Sequence, residues 1–405
     1  VFGEMQIPLL TDVEFAKELS VNLSGRYSEY SSVGQTWAWA VSGAWQPVDD
    51  IRFRGQIARA VRAPNIGELF TGPSETFGVV VDPCNNLRTA LGGGPLAGGP
   101  TDPTVIANCL ANPAILARAD TATGFVLTQA ELQGTGGFQR GNPNLVQETG
   151  DTVTFGFVFT PTFMDWIGRL SVSVDYYDIE VTDAIAAVGR NDTLNICYAS
   201  AGLSSPLCAN LVRDINGALI EVNTGQANIT DFETSGLDVQ LNWGQDLNEW
   251  FNSDGELGDL GSLNLTVNYT WLEKYTTTTF PGTPFVDVDE SVGAMGSFRH
   301  RASGGIIYRN GDWLFSFDAE FMSEAHDYDF FPFFEVIPNQ WFFDAGVRYE
   351  FLEGVTAIFG VRNLTDEFVF IGQSVGDPVP TGWATAPAVY DGLGRRYFAG
   401  IRWEL

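Results

Sequence analysis

The sequence lacks the long apolar runs that membrane-spanning helices need. None of its hydrophobic stretches approaches the roughly 18 residues that cross a bilayer as a helix. Basic residues are also few, since 21 Lys and Arg stand against 50 Asp and Glu and give a net charge of −29. This charge argues against nucleic acid as a partner, because phosphates require a basic surface. It is compatible with a solvated acidic surface, a divalent cation or a cationic ligand.

Histidine and cysteine are equally scarce. There are only two His, His300 and His326, and they are interpreted as polar residues at strand ends, with no metal or catalytic role expected. The four Cys form two local pairs in stretches that resemble loops, and no His lies near them, which disfavours a zinc site. We therefore expect two loop disulfides formed in an oxidising compartment, Cys84–Cys109 and Cys197–Cys208.

Common catalytic and cofactor motifs are missing as well. The sequence has no GxSxG, HExxH or phosphate-loop pattern, and the glycine-rich residues 92–100 lack the Lys-Ser/Thr pair that binds phosphate. We expect no enzymatic activity and no cofactor. The alternative to a chain without cofactors is a bound Ca²⁺ in an acidic loop. Asp287, Asp289 and Glu290 could supply carboxylate ligands for it, but their spacing is not that of an EF-hand loop. An exposed acidic loop is the simpler interpretation.

What the sequence does contain is alternation of apolar and polar residues with a period of two. The last nine residues illustrate it: Tyr397, Ala399, Ile401, Trp403 and Leu405 are apolar, whereas Arg402 and Glu404 lie between them. Such alternation predicts a β-strand with one apolar and one polar face. Thirteen segments of this kind follow one another, from residues 2–9 to residues 397–405.

The connections between these strands alternate in length, apart from a short link near residues 30–35. Tight links are followed by long ones, which places almost all long links at one end of the sheet. Outer-membrane barrels have this asymmetry, with short periplasmic turns and long extracellular loops. The chain is therefore predicted to be all-β, one transmembrane antiparallel β-barrel domain over residues 1–405. Its extracellular loops are expected at about 64–147, 183–226, 275–294, 327–339 and 364–394.

Three segments resemble motifs of the TonB-dependent outer-membrane receptors. The first resembles the family's RAP-N-ELF segment and the second its GNP-L-PE segment, although Gln147 stands where the family usually has Pro. The third resembles its GVRNL-DE segment. The matching residues are Arg62, Ala63, Pro64 and Glu68 in the first, Asn142, Pro143, Leu145 and Glu148 in the second, and Arg362, Asn363 and Leu364 in the third. The terminal strand departs from the family pattern at Phe398 and Leu405.

The resemblance implies a 22-stranded barrel with an N-terminal plug inside it. Because Val1 is not preceded by a start Met or a signal segment, we expect this chain to hold about the last 13 strands, without the plug or the early strands. The terminal strand is then expected to be unpaired at its outer edge. The implied partners are outer-membrane lipid and lipopolysaccharide, the plug of the same protein, the inner-membrane energy-transducing protein that acts through the missing part, and a small-molecule nutrient.

The resemblance also implies active import across the bacterial outer membrane. A ferric siderophore is the expected cargo, and an oligosaccharide or another organic nutrient is the alternative within the family. A passive porin or structural barrel is the alternative of another class. Candidate cargo contacts are four loop phenylalanines, one loop tryptophan and two acids of the polar face: Phe330, Phe331, Phe333, Phe334, Trp383, Glu320 and Asp344. The phenylalanines are also compatible with packing inside their loop or with lipid contact.

Overall fold

The computed structural model describes residues 1–89, 94–133, 135–163, 167–252, 257–326, 336–369 and 389–404. Thirteen long strands follow one another across one sheet. They are β1 (Phe2–Val13), β2 (Ala16–Tyr30), β3 (Gly34–Val48), β4 (Ile51–Arg62), β5 (Glu148–Phe159), β6 (Arg169–Ala187), β7 (Thr224–Asp246), β8 (Ser262–Thr279), β9 (His300–Asn310), β10 (Trp313–Met322), β11 (Gln340–Leu352), β12 (Val355–Arg362) and β13 (Arg396–Trp403).

Shorter elements lie in the connections. The helices are α1 (Ile66–Phe70), α2 (Pro103–Leu110), α3 (Pro113–Ala119), α4 (Gln129–Gln133), α5 (Arg190–Ala199) and α6 (Leu247–Phe251), with 3₁₀ turns at Ala201–Leu203 and Pro206–Asn210. The short strands are Ser74–Glu75, Phe138–Arg140, Leu211–Arg213, Leu219–Val222 and Asp287–Glu290. No helix in the described parts of the chain is both long and apolar enough to span a membrane.

Each long strand pairs antiparallel with the strand that follows it in the chain. The predicted thirteen-strand meander is therefore confirmed in number and in order. Within the described residues, β1 pairs only with β2 and β13 only with β12, as expected for the terminal strand. The alternating sequence dictates this arrangement because only a sheet places every second residue on one face.

The strand register separates an apolar face from a polar one. On the polar side, Asp238 of β7 lies opposite Asp175 of β6 and Thr270 of β8. The other side is apolar yet remains uncovered: Phe155 is 64% exposed and Trp37 is 61% exposed. Large aromatic side chains along a whole wall are costly in water, so this face suits lipid.

Connections differ between the two ends of the sheet. At the turn end, residues 14–15, 49–50, 311–312 and 353–354 each make a tight link. Gly311 and Gly354 adopt positive φ angles of 51° and 74°, which the hairpin geometry requires. At the loop end, only the link at 31–33 is short, and the others span residues 63–147, 188–223, 280–299, 323–339 and 363–395. The predicted asymmetry is present, and placing the loop end outside the cell stays a prediction.

Several loop boundaries differ from those expected. Strand β6 continues to Ala187 and β8 continues to Thr279, where the sequence predicted loops from residues 183 and 275. Asp287–Glu290, predicted as part of a loop, pairs back onto the extension of β8. The backbone ladder continues in these extensions although the sequence has lost its apolar–polar period there, as the four threonines at 276–279 show.

Well-packed cores lie in the connections. The larger core unites loop 63–147 with loop 188–223 around Ile115, Phe125 and Leu194, each fully buried. We call this unit the loop module. A smaller core at the loop end of β10 and β11 includes Phe298, Met322 and Tyr390. The predicted irregular stretch 64–147 therefore contains helices, whose short, unrelated packing faces produce no sustained period.

Candidate functional site

The polar face carries ion pairs between wall strands, some of which are separated by an intervening strand. Arg54 Nε donates to Asp175 Oδ1 at 2.7 Å, and Arg301 Nη2 donates to Glu320 Oε1 at 2.7 Å. Arg52 lies 3.6 Å from a carboxylate oxygen of Glu18. The side chains remain hydrated, so each pair contributes at most about 1 kcal/mol to stability. Arg52, Arg54 and Arg301 thus contact carboxylates of the wall itself.

The structure brings the two predicted acids, Glu320 and Asp344, into one concave patch of the polar face. Its volume is about 600 Å³. Asp318 lies directly opposite Asp344 in the register, and the Asp344 carboxylate accepts a hydrogen bond from the Asn363 backbone N–H at 2.8 Å. The rest of the patch offers hydroxyl and amide groups, from Asn264, Thr266, Asn268, Thr270 and Ser303. This surface can hydrogen-bond a polar solute with neutral or positive outer groups.

The predicted aromatic contacts Phe330, Phe331, Phe333, Phe334 and Trp383 lie outside the described residues. Their role as cargo contacts stays a prediction. Acidic residues do not converge elsewhere: no group of three or more His, Cys, Asp or Glu in the described ranges is placed to hold a metal ion. Asp287, Asp289 and Glu290 lie on a short strand, where alternation places Glu290 on the face opposite to Asp287 and Asp289.

The first family motif forms the loop-end rim of β4. Arg62 binds Glu148 of β5 through two donors, with Nη2 to Oε1 at 2.6 Å, and it also contacts Glu68 at 3.1 Å. Glu68 closes a capping box with Asn65 at the start of α1. Ala63 is half-buried and Pro64 is buried between strand and helix. Arg62 thus joins two strands and the first helix of the loop module.

The second motif completes this rim. Asn142 donates two hydrogen bonds that fix the loop chain: its backbone N–H donates to Glu68 O at 2.8 Å, and its Nδ2 donates to Gln226 O at 2.9 Å. Leu145 is buried, whereas Pro143 is exposed and shapes the turn between them. The Glu148 carboxylate also accepts from the Ile185 backbone N–H at 2.7 Å. These contacts tie β4, β5, β6 and β7 into one collar.

The third motif lies where β12 leaves the wall. Asn363 has a φ of 53° and is 3% exposed. Its side chain both donates to and accepts from the backbone of Glu367, at 2.7 and 2.8 Å. Leu364 N–H donates to Phe343 O at 2.7 Å, and the Arg362 guanidinium lies 5.8 Å from the ring centre of Phe398. Asn suits this position because its short amide tolerates the left-handed conformation and bonds locally.

Both predicted disulfides are present in the loop module, Cys84–Cys109 and Cys197–Cys208. The first ties residue 84 to α2, and the second ties α5 to the 3₁₀ turn at Pro206–Asn210. Asn108 of α2 donates two hydrogen bonds to the backbone at the C-terminal end of α5, to Tyr198 O at 2.7 Å and to Ser200 O at 2.6 Å. The two loops therefore fold as one unit.

A buried ion pair lies at the centre of the module. Arg213 donates to both oxygens of Asp82, at 2.6 and 2.7 Å, and its Nε donates to the Tyr198 hydroxyl at 2.7 Å. Burial raises the pKa of Tyr198. Burial, the largest single effect, lowers the pKa of Arg213, but the hydrogen bonds and charge attraction to Asp82 and Tyr198 together outweigh it, so the net pKa is raised. Sequence reasoning missed this trio because its partners are 131 residues apart with no local pattern.

With this geometry established, comparison with known proteins identifies the family. Residues 1–364 match the model of the TonB dependent receptor-like β-barrel family, so the chain belongs to that family. Its members are outer-membrane receptors, and the chain is accordingly a TonB-dependent receptor barrel of the bacterial outer membrane. The resemblance seen in the three motifs is thereby confirmed. Family and structural neighbours are transport receptors, not enzymes.

Solved structures show the same fold. The siderophore receptor PirA from Acinetobacter baumannii is 15% identical, with a TM-score of 0.55 over 99% of this chain and 45% of its own. A mutant of the ferric enterobactin receptor PfeA from Pseudomonas aeruginosa is 15% identical, with a TM-score of 0.58 over 99% of this chain and 44% of its own. The chain thus spans less than half the length of these structures. No curated protein matches it.

Proposed function

We propose that this barrel belongs to an active-transport receptor that binds a ferric siderophore outside the cell and imports it with energy from the inner membrane. The observation that carries the proposal is the loop module: two loops tied by disulfides and anchored to four wall strands through the Arg62–Glu148 collar. A folded structure at the loop end provides preorganised binding groups, which a pore for unselective diffusion does not need.

The polar patch narrows the class of cargo. Asp318, Glu320 and Asp344 lie together there, with Arg301 already paired to Glu320. The whole chain carries a net charge of −29. An anionic complex would be repelled by this wall, so the proposed cargo is a ferric siderophore with a neutral or cationic surface. The similar structures include a siderophore receptor and a ferric enterobactin receptor, which supports an iron complex as the class of cargo.

Radioactive iron uptake tests the energy requirement. In the bacterium that encodes the full-length protein, deletion of the gene should abolish uptake of the matching ferric siderophore under iron limitation. A protonophore should abolish it equally, because the energy comes from the inner-membrane proton gradient. Uptake that continues after the gradient collapses would instead indicate a passive porin. Growth defects confined to an oligosaccharide as carbon source would identify the other cargo class.

Substitutions in the patch test its contact with cargo. Glu320→Gln and Asp344→Asn preserve volume and acceptor atoms but remove negative charge, so the KM for a cationic ferric siderophore should rise several-fold with the maximal rate preserved. Ser42→Ala on the polar face of β3 is the matched control and should leave the KM unchanged. An unchanged KM in all three variants would place cargo recognition away from the patch.

A further inference from the structure

Residues 77–81 of the loop module continue a short strand beyond the end of its pairing. The strand Ser74–Glu75 pairs antiparallel with the strand Phe138–Arg140. The next main-chain group, Thr76 N–H, donates to Gly137 O at 2.8 Å and is the last bond of this ladder. The strand partner of residues 77–81 is therefore missing from the sheet.

The neighbouring chain turns away after this point. Gly136 donates its N–H to Ile220 O at 3.1 Å and accepts from Val222 N–H at 3.0 Å, so both of its main-chain groups are used elsewhere. In the part of the chain that the structure describes, residues 77–80 consequently take no part in any hydrogen bond. Their successive N–H and C=O groups form an open strand edge.

The exposed side chains of this edge are apolar. Phe77, Val79 and Val81 are 70%, 74% and 67% exposed, whereas Val80 and Asp82 are buried. This alternation indicates an extended backbone, which places the three exposed side chains on one face. A row of large apolar side chains beside open main-chain groups is unfavourable in water.

An extended backbone is the ligand that matches both features. A strand added to an open edge supplies N–H and C=O groups at alternate residues, and its own side chains at every second position pack beside the exposed row. The loop module already imitates such a contact at one end, because Asn191 Oδ1 accepts from Val81 N–H at 2.9 Å. Residues 77–80 are the part of the edge that remains open.

Charges at the two ends of the edge define the ligand further. Glu75 precedes the apolar row, and Asp192 follows Asn191 at the other end. Neither carboxylate has an ion-pair partner among the described residues. Arg190, the cation beside them, is already engaged by Thr76 O. Basic residues at the ends of an added strand would therefore be favoured.

We propose that residues 77–81 are a docking edge for an extended peptide with apolar side chains at alternate positions and basic residues at its two ends. The edge shares no residue with the polar patch of the wall, so this peptide is a ligand additional to the proposed cargo. A second copy of the chain fits less well. Antiparallel pairing of two such edges would bring Glu75 of one copy toward Asp192 of the other, and like charges would oppose it.

Fluorescence anisotropy tests the proposal on the full-length protein in detergent. The probes are labelled seven-residue peptides with Lys at both ends, Thr at the third and fifth positions, and Val, Ile or Phe at the second, fourth and sixth. At least one of them should bind, and exchange of its terminal Lys for Glu should weaken binding about fivefold. Of its two alternating sets of backbone nitrogens, methylation of the set that faces the edge should weaken binding at least tenfold, and methylation of the other should have little effect.

Variants of the protein locate the site. Val79→Pro removes an N–H of the edge and should weaken binding at least tenfold. Ile215→Pro is the matched control and should leave binding unchanged, because Ile215 is a 92% exposed residue in a turn of the same module, where Pro is tolerated. Phe77→Thr combined with Val81→Thr guards against a Pro variant that fails to fold: it removes the apolar row, keeps the main chain, and should also weaken binding at least tenfold.

Hydrogen exchange supplies the deciding measurement. Saturating peptide should slow exchange of the amides of residues 77–80 at least tenfold, while the amides of α2 and α5 exchange as in the free protein. Binding without this protection, equal binding of peptides methylated on either set, or no binding by any probe would overturn the proposal. A dimer that Val79→Pro dissociates would overturn it too, because that result assigns the edge to a second copy.

Discussion

Replacement of Arg213 by Met should destabilise the loop module without affecting the barrel wall. The Asp82 carboxylate is completely buried and the Arg213 side chain is 7% exposed, so the pair is shielded from water. Removing the guanidinium while keeping its volume leaves a buried carboxylate without its cation. Breaking a buried pair in this way costs about 3–5 kcal/mol.

Hydrogen exchange measures that loss directly. Because about 1.4 kcal/mol corresponds to a tenfold change in an equilibrium, amides of α2 and α5 should exchange roughly 100- to 3,000-fold faster in the Arg213→Met variant. The amides of wall strands such as β8 should exchange at the wild-type rate, since the pair lies wholly within the connections. The measurement is made on the full-length protein in one detergent at one pH.

Two variants separate the ion pair from general damage. Asp82→Asn combined with Arg213→Met removes both charges and keeps an acceptor for the Cys84 N–H, so it should recover most of the lost protection. Arg118→Met is the comparison variant: Arg118 belongs to the same module and donates to Val126 O and Asn216 O, but its carboxylate partner Glu131 is more exposed than Asp82, so its loss should cost less than the loss of Arg213. Wild-type exchange in Arg213→Met, or no recovery in the double variant, would refute the reasoning.

Three other predictions follow from single features. Replacing Cys84 and Cys109 together by Ser should cost the module about 3.5 kcal/mol, since the bond closes a loop with a sequence separation of 25, and limited proteolysis should cleave that loop at least tenfold faster. Gly360→Ala should reduce the yield of folded barrel in vesicles, because its new Cβ would lie 2.3 Å from the Phe398 ring, and adding Phe398→Ala should restore the yield. Burial raises the pKa of Tyr390 from 10.0 to about 12. The stability that the neutral Tyr390 hydroxyl contributes to the folded protein is therefore fully present below pH 10 and is lost as the pH rises toward 12. In a series of thermal-unfolding measurements, Tyr390→Phe should reduce the fall in melting temperature between these pH values.

Each of these has a control. Heat-modifiable gel mobility should be unchanged by the Ser variants, since the wall does not depend on the disulfide. Gly400→Ala has open space around its Cβ and should fold normally, so equal losses at positions 360 and 400 would contradict the steric account. A Tyr390→Phe variant with an unaltered alkaline limb would show that another group controls it.

Most strands of the wall were predictable from the sequence. One face of each strand meets an apolar environment and the other a polar one, so successive residues alternate between apolar and polar. Residues 263–271 show a strict alternation, and β8 there pairs on both sides in register. At residues 275–279 the alternation ends, although the strand continues to Thr279. The lengths of the links also predicted which connections lie together at each end of the sheet, as with the tight link 353–354 at one end and the long link 63–147 at the other.

The loop module and the rim were not predictable from the sequence in the same way. Arg62 and Glu148 are 86 residues apart, so only their motifs hinted at a role, and their mutual contact came from the fold. No motif or residue pattern in the sequence indicated that Asp82 and Arg213 form a pair. The helices of this small core are short and pack in different orientations, so the sequence shows no continuous hydrophobic periodicity from which they could be predicted.

The sequence by itself determined the strands, their order, the two faces and the local disulfide pairs, because each depends on neighbouring residues or on a uniform environment. Tertiary structure alone decided which loops interlock, which charges are buried together and which polar side chains share a patch. Such contacts join residues whose separation along the chain carries no information about their distance in space.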